Sequence, residues 1–182
     1  MKKIILFGLA VIMTANFVQA QQSAFTKGDN VVGLGIGLGG NIYSGSGWGY
    51  AGISKMPLIF ANYEHCIVDN LFDAKSSIGI GAMAGFTSSK WGDVRWTDII
   101  IGARGGFHYT FVSKLDTYGG LMLGYDIRSV KSTVSSDVYK SPNDFAWSLY
   151  VGARYYFTES IGAFAEVGYG VSILNVGVAL KF

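Results

Sequence analysis

In VVGLGIGLGG, residues 31–40, Val32, Leu34, Ile36 and Leu38 fall on one face of an extended chain and Gly33, Gly35, Gly37 and Gly39 on the other. The same period of two returns in TDIIIGARGGFHYTF, which sets Ile99, Ile101, Ala103, Phe107, Tyr109 and Phe111 against Asp98, Gly102, Arg104, Gly106, His108 and Thr110. It returns again in TYGGLMLGYDIRS, with Leu121, Leu123, Tyr125 and Ile127 opposite Tyr118, Gly120, Met122, Gly124, Asp126 and Arg128. Half of the 182 residues are hydrophobic, yet past the N-terminus no apolar run approaches the ~18 residues of a spanning helix. The apolar content is dispersed into strands. Eight are expected, at 30–39, 57–68, 75–87, 98–111, 116–129, 146–157, 161–169 and 174–182. Long polar connections at 40–56, 88–97 and 130–145 alternate with short ones at 69–74, 112–115 and 158–160, while 170–173 is also short. One end therefore carries loops and the other turns. Pro57 opens a strand and Pro142 lies in a loop, so neither interrupts a ladder.

The composition of the two faces decides the class. A water-soluble barrel would turn its apolar face inward and show Lys, Glu and Thr outside. Here the polar face is poor in charge and rich in glycine, which stands at 26 positions, about twice the usual ~7 %. Small residues mixed with a few large polar ones suit the crowded interior of an eight-stranded barrel, which side chains fill. The apolar face carries no Lys, Arg, Asp or Glu and suits lipid, where a charge costs roughly 2–4 kcal/mol at mid-depth. Aromatic residues gather at both ends of the strands. Tyr63, Tyr109, Phe111, Tyr155, Phe157 and Phe182 fall at the turn end, and Phe86, Tyr125, Trp147 and Tyr169 at the loop end. Two girdles match two interfaces.

The N-terminus, MKKIILFGLAVIMTANFVQA, has a charged start, a short apolar stretch and a small residue at Ala20, the order of a cleaved secretory signal. Residues 1–20 are expected to leave and residues 21–182 to form one domain. The formal charge of +2 then falls to zero with the loss of Lys2 and Lys3, leaving no basic stripe for nucleic acid. Cys66 is the single cysteine, which excludes a disulfide framework within the chain.

The last eight residues, NVGVALKF, alternate to the final position. Asn175, Gly177, Leu180 and Phe182 resemble the C-terminal assembly signal of bacterial outer-membrane β-barrels, with Leu180 departing mildly from an aromatic preference. As architecture, the whole mature segment resembles the small eight-stranded outer-membrane barrels of the OmpX or OmpA transmembrane-domain type. The resemblance implies an all-β, antiparallel up-and-down transmembrane barrel in the bacterial outer membrane. It further implies contact with outer-membrane lipid, reading by the barrel-assembly machinery and a monomeric state.

Three groups of residues are candidates for chemistry. Asp98, Arg104, Asp126, Arg128, Arg154 and Glu166 face inward, and strand register suggests Asp98 opposite Arg128, Asp126 diagonal to Arg104, and Arg154 opposite Glu166. Such pairs neutralise one another where desolvation is costly, so a plugged lumen is favoured over a conducting one. Tyr43, Trp48 and Tyr50 in the first loop and Trp91, Arg95 and Trp96 in the second are the candidates for binding an extracellular or host surface ligand. The spacing Gly35-x-Gly37-x-x-Gly40 meets a dinucleotide fingerprint only as a pattern, because loop and not helix follows. With two histidines, His65 and His108, there is little for a metal or acid–base site. His108-Tyr109-Thr110 resembles the His and hydroxyl spacing of lipid A deacylase barrels, but its register turns His108 inward at the opposite end. The expectation is a non-enzymatic envelope protein without cofactor or metal, acting structurally or in adhesion through its loops. A narrow channel for small solutes and a lipid-modifying enzyme are the alternatives.

Overall fold

The computed structural model describes residues 23–40, 53–132, 138–140 and 144–182, with backbone alone at 53–55, 91, 132 and 138–140. The expected signal peptide, the first-loop aromatics Tyr43, Trp48 and Tyr50, and Pro142 lie outside these residues. Ten strands are present among them: β1 (Asn30–Leu38), β2 (Ile53–Lys55), β3 (Leu58–Asp69), β4 (Ser76–Trp91), β5 (Val94–Val112), β6 (Leu115–Ser132), β7 (Val138–Lys140), β8 (Asp144–Tyr156), β9 (Ile161–Gly170) and β10 (Leu174–Lys181).

Eight of them form a closed ring. Each pairs antiparallel with its neighbour in the order β1, β3, β4, β5, β6, β8, β9, β10, and β10 returns to β1. Closure removes the edges along which strands otherwise aggregate. At the seam, the backbone N–H of Asn30 donates to the Phe182 carbonyl and that of Phe182 to the Asn30 carbonyl, both at 2.9 Å. The short β2 and β7 lie outside the ring, on β4 and β6.

The period of two sorts side chains between lumen and exterior. Leu34, Ile80, Leu121, Val151 and Val178, from five different staves, are 44–63 % exposed. Phe60, Asn62, Glu64, Arg104, Tyr118, Tyr150, Arg154 and Phe164 are buried. The glycines of β1 now have a packing reason. The rings of Phe60 and Phe164 meet in the lumen at 6.1 Å, and a Cβ on Gly35 would stand 2.8 Å from one and 3.0 Å from the other. Gly177 makes the same room for Phe164 from β10. Gly39 and Gly40 end β1 with φ of +69° and +125°, and no helix follows the Gly35–Gly40 pattern.

Both aromatic girdles project outward. Tyr63, Phe111, Tyr155, Phe157 and Phe182 are exposed at the turn end, with Tyr109 stacked on Phe111 at 4.7 Å. Phe86, Tyr125, Phe145, Trp147 and Tyr169 are exposed at the loop end. The turns between are tight. At 70–75 the Asp73 carboxylate accepts from the Lys75 backbone N–H at 3.0 Å, which holds its carboxyl below the usual range.

The wall is uneven in height, and here the expected second loop is corrected. Residues 88–97 are not a loop: β4 and β5 continue through them as a paired hairpin that turns at Gly92 and Asp93, with Trp91 opposite Val94. Gly92, at φ +56°, supplies the left-handed first position of a two-residue turn. Serine and lysine break the apolar alternation there because a strand that has left the bilayer no longer needs a lipid-facing side. The third connection is also partly ordered, with β7 paired to residues 129–131 of β6.

Candidate functional site

The lumen holds its charged residues in two layers. Near the turn end, Arg154 of β8 reaches across the lumen to donate to Glu64 Oε2 of β3 at 2.8 Å, and donates to Asp116 Oδ2, its ladder partner on the neighbouring β6, at 3.2 Å. His108 of β5 lies between the same two carboxylates, Nδ1 at 2.9 Å from Asp116 Oδ1 and Nε2 at 3.1 Å from Glu64 Oε1. One level up, Arg104 Nη2 donates to Glu166 Oε1 at 2.7 Å, and the Tyr118 hydroxyl donates to the same oxygen at 3.0 Å. Asn175 donates to Glu166 Oε2 at 3.2 Å. With Glu64 and Asp116 both ionised, and so accepting only, bonds at both ring nitrogens call for an N–H on each, which is the imidazolium. Three cations then balance the three carboxylates of Glu64, Asp116 and Glu166.

Aromatic faces complete this layer. The Arg104 guanidinium lies 4.3 Å from the Tyr150 ring centre, and that of Arg154 lies 5.1 Å from Tyr118. Such stacking suits a weakly hydrated guanidinium taken out of water. A cavity of about 10 Å³ beside Arg104, Met83, Met122 and Tyr150 has room for at most about one water molecule.

Above lies an apolar layer of Leu58, Ile100, Met122 and Val171, each at most 1 % exposed. The second charged layer sits at the loop-end rim, where Arg128 donates from Nε to Asp98 Oδ1 at 2.6 Å and from Nη2 to Asp126 Oδ2 at 3.1 Å.

The six charges expected in the lumen are all there, but their partners differ in two of three cases. Asp98 and Arg128 meet, as register suggested. Arg104 stands opposite Met122, and Asp126 opposite Ile100, so those two do not meet. Arg154 stands opposite Phe164 on β9, one diagonal from Glu166, and instead bonds Asp116, opposite it on β6, and Glu64 across the lumen. Register counts only neighbouring strands, whereas a long side chain in a narrow barrel reaches strands that are not neighbours. Glu64, His108 and Asp116 complete the network and were not singled out as its members.

A further element is the segment before β1. Ser23–Thr26 enters the turn-end mouth, where Ala24 N–H donates to Thr110 Oγ1 at 3.0 Å and Lys181 Nζ donates to the Ala24 carbonyl at 3.1 Å. The Phe25 ring, fully buried, lies 4.5 Å from His108. The only signal in sequence is one apolar Ala-Phe pair between polar residues, ahead of the Lys27-Gly28 turn.

The remaining candidates are distributed as follows. Asn175 and Gly177 face the lumen, while Leu180 and Phe182 face outward and are exposed. Arg95 and Trp96 lie on strand β5, on opposite faces of the hairpin, and Trp91 pairs through its backbone with Ile53 of β2 and Val94 of β5. Among the described residues no group of His, Cys, Asp and Glu has a metal-binding arrangement.

No protein-family model matches the chain, and no curated protein sequence matches it. Solved structures do match in shape. A computationally designed transmembrane β-barrel is 12 % identical, with a TM-score of 0.51 over 86 % of this chain and 98 % of its own. The attachment invasion locus protein Ail of Yersinia pestis, in complex with the heparin analogue sucrose octasulfate, is 9 % identical, with a TM-score of 0.53 over 86 % and 100 %. The N-terminal barrel domain of Pseudomonas aeruginosa OprF is 14 % identical, with a TM-score of 0.50 over 86 % and 98 %. The fold is that of the small eight-stranded transmembrane β-barrels of outer membranes.

Proposed function

We propose that this chain is a non-enzymatic protein of the bacterial outer membrane, monomeric, embedded in its lipid and acting at the cell surface through the loop end. The observation that carries this reading is the contrast between a lumen packed with buried side chains and a wall of β4, β5 and β6 that rises beyond the apolar belt. A filled lumen gives solutes no path, and an ordered extension gives a partner something to hold. Ail, named for attachment and seen with a heparin analogue, has the same fold and supports a surface role in kind. The outward-facing Leu180 and Phe182 suit reading by the barrel-assembly machinery.

The test is attachment. Bacteria carrying the protein are compared, on a cultured-cell monolayer, with bacteria whose residues 89–96 are replaced by an Asn-Gly turn. Loss of attachment, with the barrel still assembled, is the expected result; unchanged attachment contradicts it. In planar bilayers the intact protein is expected to show no steady conductance, and a stable open level would favour the channel instead.

A further inference from the structure

The register of the extension places three cations side by side. Lys90 of β4 is paired with Arg95 of β5, and Arg95 with Lys131 of β6. Residues directly opposite in an antiparallel ladder share a face, with Cβ atoms about 5 Å apart. All three side chains are exposed. They share the exterior face, because each lies an even number of residues from an outward-facing apolar side chain: Phe86, Ile99 and Ile127.

Like charges in this position destabilise a sheet. Among the described residues no ion pair joins any of the three to a carboxylate. Nor do the described ladder positions beside and below the row supply one. Lys90 is paired on its other side with Ser54 and Lys131 with Val138, and the outward row below is Ser88, Thr97 and Ser129. The one acidic residue of the hairpin, Asp93, stands at its turn.

Height supplies the second observation. The last apolar row, Phe86–Ile99–Ile127, lies four residues nearer the barrel, roughly 13 Å along the strand and about 10 Å in height at a tilt near 40°. Headgroups occupy the first ~5–8 Å above the hydrocarbon. Long Lys and Arg side chains lean back toward that layer from just above it.

We propose that Lys90, Arg95 and Lys131 form a docking row for the phosphate groups of lipids in the leaflet that surrounds the loop end. This inference rests on the reading of the apolar face as lipid-facing. The occupant is a membrane lipid and not a soluble anion, because the row faces away from the lumen and directly overlies the belt. Arg95, in the centre, offers paired N–H donors to phosphate oxygens, and the two lysines add charge on either side.

The test titrates the folded protein, in neutral-detergent micelles, with a bis-phosphorylated lipid A and separately with its dephosphorylated form, counting bound lipids by native mass spectrometry. The expected result is binding of the phosphorylated form about tenfold or more tighter. The variant Lys90→Gln/Arg95→Gln/Lys131→Gln loses that preference. A control removing three turn-end cations, Lys27→Gln/Lys75→Gln/Lys114→Gln, retains it. Equal binding by the row variant overturns the proposal, and so does displacement of the lipid by inorganic phosphate, which would mark a soluble-anion site. Heat-dependent gel mobility is recorded for every variant. If the intact protein lacks it, the barrel reading has failed and not the docking row; if only the triple variant lacks it, Arg95→Gln alone is used and is expected to weaken binding several-fold.

Discussion

Replacing Arg154 with Met is expected to cost about 3–5 kcal/mol of unfolding free energy, measured by denaturant titration of the protein folded into phospholipid vesicles. Arg154 is 2 % exposed and, among the described residues, is the only guanidinium paired with either Glu64 or Asp116. Without it, two carboxylates remain in the lumen with His108 alone between them. The penalty is that of uncompensated buried charge, which exceeds the worth of the bonds themselves. The double variant Glu64→Leu/Arg154→Met separates the two. It removes one charge of each sign and leaves His108 with Asp116, and Arg104 with Glu166, so it should recover most of the loss. A single variant no less stable than the double would mean that the lumen admits enough water to solvate the carboxylates.

Phe25→Ala is expected to cost a similar amount, about 3–5 kcal/mol, since a fully buried aromatic ring leaves a void that its neighbours cannot fill. Those neighbours are held in place: His108 is bonded at both ring nitrogens, and Arg154 at two carboxylates. The segment carrying Phe25 is tied to the barrel at Thr110 and Lys181. The same variant should therefore make the first residues accessible to protease added at the turn end. A loss below about 1 kcal/mol would show that the segment merely rests on the mouth.

Much of this architecture is legible from residue type alone, because a barrel with lipid outside and packed side chains inside imposes one pattern on every stave. Val32, Leu34, Ile36 and Leu38 against four glycines is enough to orient β1, and the bulk those glycines accommodate, Phe60 and Phe164, comes from other strands. The pattern stops where the bilayer stops. Residues 88–97 keep their strand pairing but lose their alternation, so a polar hairpin reads as a loop. Ladder positions are legible for adjacent strands, as with Asp98 and Arg128, and not for pairs that span the lumen. Arg104 finds Glu166 from β5 to β9, and Arg154 finds Glu64 from β8 to β3, through the length of their side chains. The basic row is a third case. Lys90, Arg95 and Lys131 are scattered in sequence and become neighbours only when the hairpin is known to continue.

The central claim is a closed barrel with its apolar face outward. Residues 21–182, folded into detergent, should migrate differently on a gel before and after boiling, because a closed barrel resists the detergent until heat opens it. The account predicts a heat-dependent shift and aggregation when detergent is withdrawn. A chain that shows no shift and stays soluble and folded in water would mean that the faces are reversed, with the apolar side enclosing a ligand cavity.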